Sequence, residues 1–240
     1  MADNYQKINH KFWNRKYHSP NVENMIFRLK PKLLDQYINP KKKLKVLDYG
    51  CGEGSNINYL IKKLGYDGYG VDISQPSIKV CKKKIKKNNI KLINFEVKED
   101  DDFFNTKFDL IISIDVLYYL NNKDLKARLI SLNKMLKPGG FVFFTMASKK
   151  NKYFKFFCDK IKNADGLYKV DLGVDKNYRK RHKQNIYYHY INFIKNESDL
   201  KNKFKLFKPL NIGFFDASFT TTKESGHHFT FFGKKHIQKK

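Results

Sequence analysis

Apolar positions change their period several times between residues 40 and 148, and each change marks the border of a predicted element. Leu44–Asp48, Gly68–Asp72 and Lys91–Val97 are short strand-type runs. Phe108–Ile114 (FDLIISI) and Phe141–Met146 (FVFFTM) are unbroken apolar runs, the pattern of strands buried on both faces. Between them, Ser55–Leu64, Ser74–Asn88 and Lys123–Leu136 carry helical spacing. Pro76 sits in the first turn of the second helix. Leu125, Leu129, Leu132 and Leu136 form one stripe of the third, which Pro138-Gly139-Gly140 then ends. Strands alternating with helices predict an α/β fold with a doubly wound, mostly parallel sheet. In such sheets ligands bind beyond the carboxyl ends of the strands, at the switch point.

The two ends read differently. The first 40 residues predict helical cover, with Pro20-Asn21 opening a helix that stops before Pro40. Residues 149–195 are polar, aromatic and basic without a clean period. Strands near Phe204–Phe215 and His227–Gly233, joined by Thr220-Thr221-Thr222, predict an antiparallel terminal hairpin and bring the expected sheet to seven strands. The expectation is one domain over 1–240: a cap (1–40), a binding core (41–148), an insertion (149–203) and the hairpin (204–240).

Composition narrows the class. No apolar run approaches the roughly 18 residues that a membrane span needs, and the first ten residues lack the apolar stretch of a signal peptide. Cys51, Cys81 and Cys158 are odd in number and far apart, so neither a disulfide framework nor a CxxC metal site is expected, and a reducing cytoplasm is. The net charge of +26 suggests a nucleic-acid partner, yet only Arg15, Arg28, Arg128, Arg179 and Arg181 are arginine among 49 basic residues. Lys82, Lys83, Lys84, Lys86 and Lys87 fall on the outer face of a helix whose apolar stripe is Ile78, Cys81 and Ile85. Dispersed lysine of this kind is the mark of a biased composition, and nucleic acid is the less favoured partner.

Two landmarks carry chemistry. VLDYGCGEG, Val46 to Gly54, is a strand running into a glycine-rich turn that opens a helix, where backbone N–H groups can approach a ligand closely. GYGVDIS, Gly68 to Ser74, ends a second strand at Asp72. An acidic residue about 20 residues past such a turn can accept hydrogen bonds from both ribose hydroxyls of a nucleoside.

Together with FDLIISIDVLYYL and LNKMLKPGGFVFFT, these segments resemble the motifs of the class I S-adenosylmethionine-dependent methyltransferases, in order and spacing, over residues 40–148. The resemblance implies a Rossmann-like methyltransferase fold and S-adenosylmethionine as donor, with S-adenosylhomocysteine as product. It implies that Asp48, Gly50, Cys51 and Gly52 hold the amino-acid end of the donor, that Asp72 holds the ribose and that Ile73 packs on the adenine. An acidic group near the adenine amine would come from Glu99, Asp100 or Asp101. Ile114 and Asp115 would line the methionine portion. Phe12 to Leu29 resembles the N-terminal helix that closes over the donor in small-molecule members, with Arg28 on its carboxylate and Trp13 and Tyr17 as walls. Plainer roles stand beside these: Asp48 bonding turn amides, Gly54 serving close packing, Asp115 capping the helix near Asn121, Arg28 as a surface cation.

The acceptor side is less defined. A hydroxyl acceptor needs a base, and histidine suits that near neutral pH. His227 and His228 open the last strand, one of them facing the acceptor space; Tyr118 and Tyr119 follow the fourth strand; His189 lies among tyrosines. Each could equally be a packed aromatic. The 149–195 insertion, with Arg179 and Arg181 in YRKRHK, resembles the variable acceptor lid and suits a phosphate or carboxylate. The absence of a [DNS]PP[FWY] segment disfavours base amines, and Met146-Ala147-Ser148 offers no acidic pair for a catechol-type metal site, so no metal is expected. The expected reaction is methylation of oxygen, less readily nitrogen, on a small anionic or nucleotide-linked metabolite such as a surface-glycan (capsule) precursor, by a monomer or homodimer. RNA methylation drawing on the basic surface is the alternative.

Overall fold

The computed structural model describes residues 5–13, 34–39, 41–85, 91–94, 104–162, 164–181, 186–216 and 226–236. Tyr17, Arg28, Glu99, Asp100, Asp101 and the Thr220–Thr222 turn lie outside them, as does the side chain of Arg181.

A seven-stranded sheet forms the centre. Its strands are β1 (Lys45–Tyr49), β2 (Asp67–Asp72), β3 (Lys91–Asn94), β4 (Phe108–Ser113), β5 (Leu136–Ala147), β9 (Phe207–Phe215) and β10 (His228–Lys235). Their order is β3-β2-β1-β4-β5-β10-β9. Pairings from β3 through β5 are parallel, and β10 is antiparallel to both β5 and β9. The fold class, the strand count of the main sheet and the antiparallel last pair therefore match the sequence reading. β4 is buried at every residue, as its unbroken apolar run requires.

The connections are helical. α1 (Tyr5–Trp13) precedes the sheet, α2 (Ser55–Leu64) joins β1 to β2, α3 (Gln75–Lys84) follows β2, and α4 (Asn122–Met135) joins β4 to β5. Ser74 caps α3 by accepting the Ser77 N–H, with Pro76 in the first turn. Ile78, Cys81 and Ile85 are buried while Lys82, Lys83 and Lys84 are exposed, so that lysine run is a solvated face. Leu125, Leu129 and Leu132 are buried on α4, but Leu136 already belongs to β5, which begins before Pro138-Gly139-Gly140 rather than after it. Leu136 has taken an extended backbone there, so the helix ends one residue short of its stripe.

Residues 149–195 hold more order than their composition suggests. β6 (Cys158–Lys162), β7 (Tyr168–Asp171) and β8 (Tyr188–Ile191) make a separate three-stranded antiparallel sheet. A short helix, α5 (Lys176–Arg181), follows β7, and α6 (Glu197–Lys203) leads into β9. Burial alternates along β7 and β8, with Tyr168, Val170, His189 and Ile191 inside. Four-residue strands are too short for that alternation to stand out among so many aromatic residues.

Candidate functional site

The glycine turn is tied to the sheet at its root. Gly50 N–H and Cys51 N–H both donate to the Val71 carbonyl, at 2.8 and 3.0 Å, so the turn lies against the end of β2. Gly54 sits at φ +86° before α2, and a Cβ there would collide with Cys81 Sγ. Its packing role is real. Gly52 is different: φ is +51°, yet nothing lies within 4 Å of where its Cβ would be. A left-handed turn residue facing open space is a place where a ligand can meet the backbone.

Asp72 closes this turn. One carboxylate oxygen accepts the Gly52 N–H at 2.7 Å and the other accepts the Ser74 N–H at 2.7 Å. Burial raises the Asp72 pKa, and the two amides work against that shift. Asp48, on β1, is only 1% exposed. It accepts a backbone hydrogen bond from Ile57, while its Oδ2 has no partner. Burial, then the charge of Asp72, pushes its pKa to about 8. An orphaned carboxylate oxygen beside a second carboxylate is an unsatisfied site for a cation. The amino-acid end and sulfonium of the expected donor fit that charge, and ribose fits Asp72.

β4 ends beside this turn. Asp115 has φ +59° and does not cap the next helix; Asn121 does, accepting the Asp124 N–H. Asp115 is instead locked to β5: its N–H donates to Thr145 Oγ1 at 2.8 Å, and that hydroxyl donates back to Asp115 Oδ1 at 3.1 Å. His228 enters from β10, opposite Ala147 at the end of β5. Its Nε2 lies 3.7 Å from Asp115 Oδ1. The ring stacks on Phe215, with centroids 4.9 Å apart, and lies 5.8 Å from Tyr118. His227 points to the other side of the strand, where its Nδ1 shares a 2.8 Å hydrogen bond with Ser148 Oγ. Burial, then Lys150, lowers its pKa.

A methyltransferase-domain family model matches residues 40–201, about two thirds of the chain. The chain belongs to the class I S-adenosylmethionine-dependent methyltransferases. Over 135 residues it is 31% identical to a ubiquinone biosynthesis O-methyltransferase of Pelagibacter ubique, covering 56% of this chain and 53% of that protein. The matches span about half to two thirds of the length of such curated relatives. A solved S-adenosylmethionine-dependent methyltransferase from Methanosarcina mazei has a TM-score of 0.67 at 16% identity, covering 86% of this chain and 98% of that chain. Magnesium protoporphyrin IX methyltransferase from Synechocystis, solved with S-adenosylhomocysteine, has a TM-score of 0.60 at 17% identity, covering 98% of this chain and 97% of that one. At these identities the structural likeness establishes the fold.

Within the methyltransferase the sequence-predicted residues fall into three places. Asp48, Gly50, Cys51, Gly52, Asp72 and Ile73 gather around the glycine turn, whereas Ile114 packs toward the cluster of Leu34, Ile38 and Leu44 on the helical side. Asp115, Tyr118 and His228 meet at the end of β4. His189 is 2% exposed and surrounded by the rings of Phe12, Trp13, Tyr119 and Tyr153. Trp13 packs on Tyr119 at 5.1 Å. Arg179 is exposed on α5, which packs on the turn Leu172–Val174.

Sequence reasoning missed the polar pins. Asn9 of α1 donates to the Tyr119 and Tyr190 carbonyls and accepts the Tyr190 N–H. Asn192 N–H donates to the Tyr118 carbonyl at 2.7 Å, and its side chain donates to the Leu120 carbonyl and Asn122 Oδ1. These bonds fasten α1 and the small sheet to the turn that presents Tyr118 and Tyr119. A single asparagine carries no pattern in a sequence this rich in them. No helix among the described residues is long and apolar enough to cross a membrane.

Proposed function

We propose that this protein transfers a methyl group from S-adenosylmethionine to an oxygen of a small hydroxylated molecule that carries a negative charge. The observation that carries the reading is the Gly52–Asp72 junction: a left-handed glycine with open space at its Cβ position, whose N–H is held by a half-buried carboxylate at the end of β2. The donor supplies a methyl that is already electrophilic on its sulfonium. The chain's own work is then to bind, align and exclude water. Asp48 offers charge to a cationic ligand end, Asp72 holds hydroxyls, and Asp115 and Tyr118 stand where β4 ends.

Oxygen is favoured over nitrogen by the names of several curated relatives, which are O-methyltransferases, although others include a cyclopropane-fatty-acyl-phospholipid synthase. A negative charge on the acceptor is favoured by Arg179 and Arg181, two of only five arginines, two residues apart on one short helix. Phosphorylated or nucleotide-linked sugars are among the acceptors of that description.

Replacing Asp72 with Ala removes the ribose acceptor and leaves two amides without a partner. Calorimetry with S-adenosylhomocysteine should show affinity falling at least about a hundredfold, the loss of two hydrogen bonds to a charged group. Unchanged affinity would sink the donor assignment.

A further inference from the structure

Building on the O-methylation reading, we propose that His228 is the general base of the reaction and that Asp115, locked by Thr145, is its positioning residue. His227 precedes β10 and His228 opens it, and the two rings have different partners, so only His228 faces Asp115. The ring of His227 is committed to Ser148, and its carbonyl accepts bonds from the Ser148 N–H and the Asn151 side chain. That histidine fastens a loop.

His228 is arranged in another way. Its Nδ1 lies 2.6 Å from the Gly226 carbonyl. A carbonyl can only accept, so Nδ1 carries the hydrogen and the neutral ring keeps its lone pair on Nε2. Nε2 is the atom that faces Asp115, across 3.7 Å. The imidazole is 11% exposed and Asp115 42% exposed, so the gap between them opens to solvent on the Asp115 side. A proton arriving on Nε2 meets a carboxylate at ion-pair distance.

The carboxylate cannot swing away. Thr145 is fully buried and its hydroxyl bonds both the N–H and the Oδ1 of Asp115. The positive φ of a non-glycine residue here is held by that closed loop and is the kind of local strain that collects at functional sites. Phe215 fixes the plane of the imidazole from one face, and Tyr118 flanks it. Among the described residues the titratable groups beside His228 are Asp115 from the β4 turn, Tyr118 from the turn after it and His227 next to it on the chain, while Asp216, following β9, acts on His227.

The proton balance is simple. The acceptor hydroxyl gives its proton to Nε2, and its freed electron pair forms the new oxygen–carbon bond. The carbon–sulfur bond of the sulfonium breaks, and its pair returns to sulfur as the neutral thioether. A base of this kind is needed for a hydroxyl and is superfluous for a phosphate-type oxyanion. The dyad therefore narrows the acceptor: its reacting oxygen is a protonated hydroxyl, and any negative charge sits elsewhere on the molecule.

The test uses the full chain labelled with 15N-histidine, with His228→Gln to assign the signal. The neutral ring of His228 should show hydrogen on Nδ1, and Asp115→Asn should move the Nε2 resonance at fixed pH, because that atom faces the Asp115 carboxylate. With 3,4-dihydroxybenzoate as acceptor and release of S-adenosylhomocysteine as readout, His228→Gln should lower kcat/KM by about 10²- to 10⁴-fold and abolish the acidic limb of the pH profile. Its S-adenosylhomocysteine affinity by calorimetry should match the wild type. A neutral ring protonated on Nε2, or an Nε2 resonance indifferent to Asp115→Asn, overturns the dyad without any acceptor. So does a His228→Gln enzyme that keeps its rate and its acidic limb. A wild-type chain that binds no donor overturns the methyl-transfer reading itself.

Discussion

Replacing Asp48 with Asn should make this protein more stable and a weaker binder of its donor. Asp48 is buried, its Oδ2 has no partner, and its pKa stands near 8 against an ordinary value of 3.8. Burial, with Asp72 adding to it, keeps the carboxyl protonated in the folded chain at pH values where the unfolded chain has released its proton. The unfolded state thus binds fewer protons, and stability falls as pH rises from about 4 to about 8. About three units lie between the ordinary value and neutral pH, each worth about 1.4 kcal/mol, so the penalty at pH 7 approaches 4 kcal/mol. At pH 5 it is roughly 1.5 kcal/mol, and above pH 8 it levels off.

Asparagine carries no such cost. Its carbonyl can keep the Ile57 N–H, and its amide can turn toward Asp72. Urea unfolding at pH 5, 7 and 9 should show a wild type that loses stability with pH and a variant that loses less, the gap at pH 7 being a few kcal/mol in favour of the variant. Calorimetry at pH 7 should show S-adenosylhomocysteine bound about tenfold or more weakly, because an amide cannot release a proton to become the counter-charge of its ammonium, as the Asp48 carboxyl can. A variant no more stable than wild type at pH 7, or a gap that does not change with pH, would refute the reasoning.

Two further outcomes follow from the packing and from the insertion. Gly54→Ala should cost about 2–4 kcal/mol, from a left-handed alanine and a Cβ driven into Cys81; in a double-mutant cycle followed by thermal melts, Cys81→Ala should relieve part of that cost, and strict additivity would contradict the contact. The double variant of Arg179 and Arg181 to Ala should raise the KM for 3,4-dihydroxybenzoate severalfold while donor affinity by calorimetry stays put; an unchanged KM would remove the anionic acceptor.

Much of the donor half was legible along the chain because it is written locally. A strand buried on both faces must be an unbroken apolar run, and FDLIISI became β4 with no exposed residue. A turn that brings backbone to a ligand needs glycine, and Asp72 lies one strand and one helix further on. The acceptor half is written in contacts between distant segments. His227 and His228 are indistinguishable in sequence, and only the register of β10 against β5 turns one to Asp115 and the other to Ser148. That His189 is packed between α1 and the small sheet is likewise invisible in the run of tyrosines around it.

The amino-acid sequence by itself determined the order of the elements, the doubly wound sheet and the glycine turn at the end of β1, since hydrophobic period and glycine placement act over neighbouring residues. Tertiary structure alone decided the rest: that Thr145 on β5 holds Asp115 of the β4 turn, that β10 lays His228 beside it, and that Asn9 and Asn192 pin the cover over both. The physical reason is range. A side chain's direction in a strand reverses with a shift of one residue, and which shift is taken depends on partners some 30 to 180 residues away.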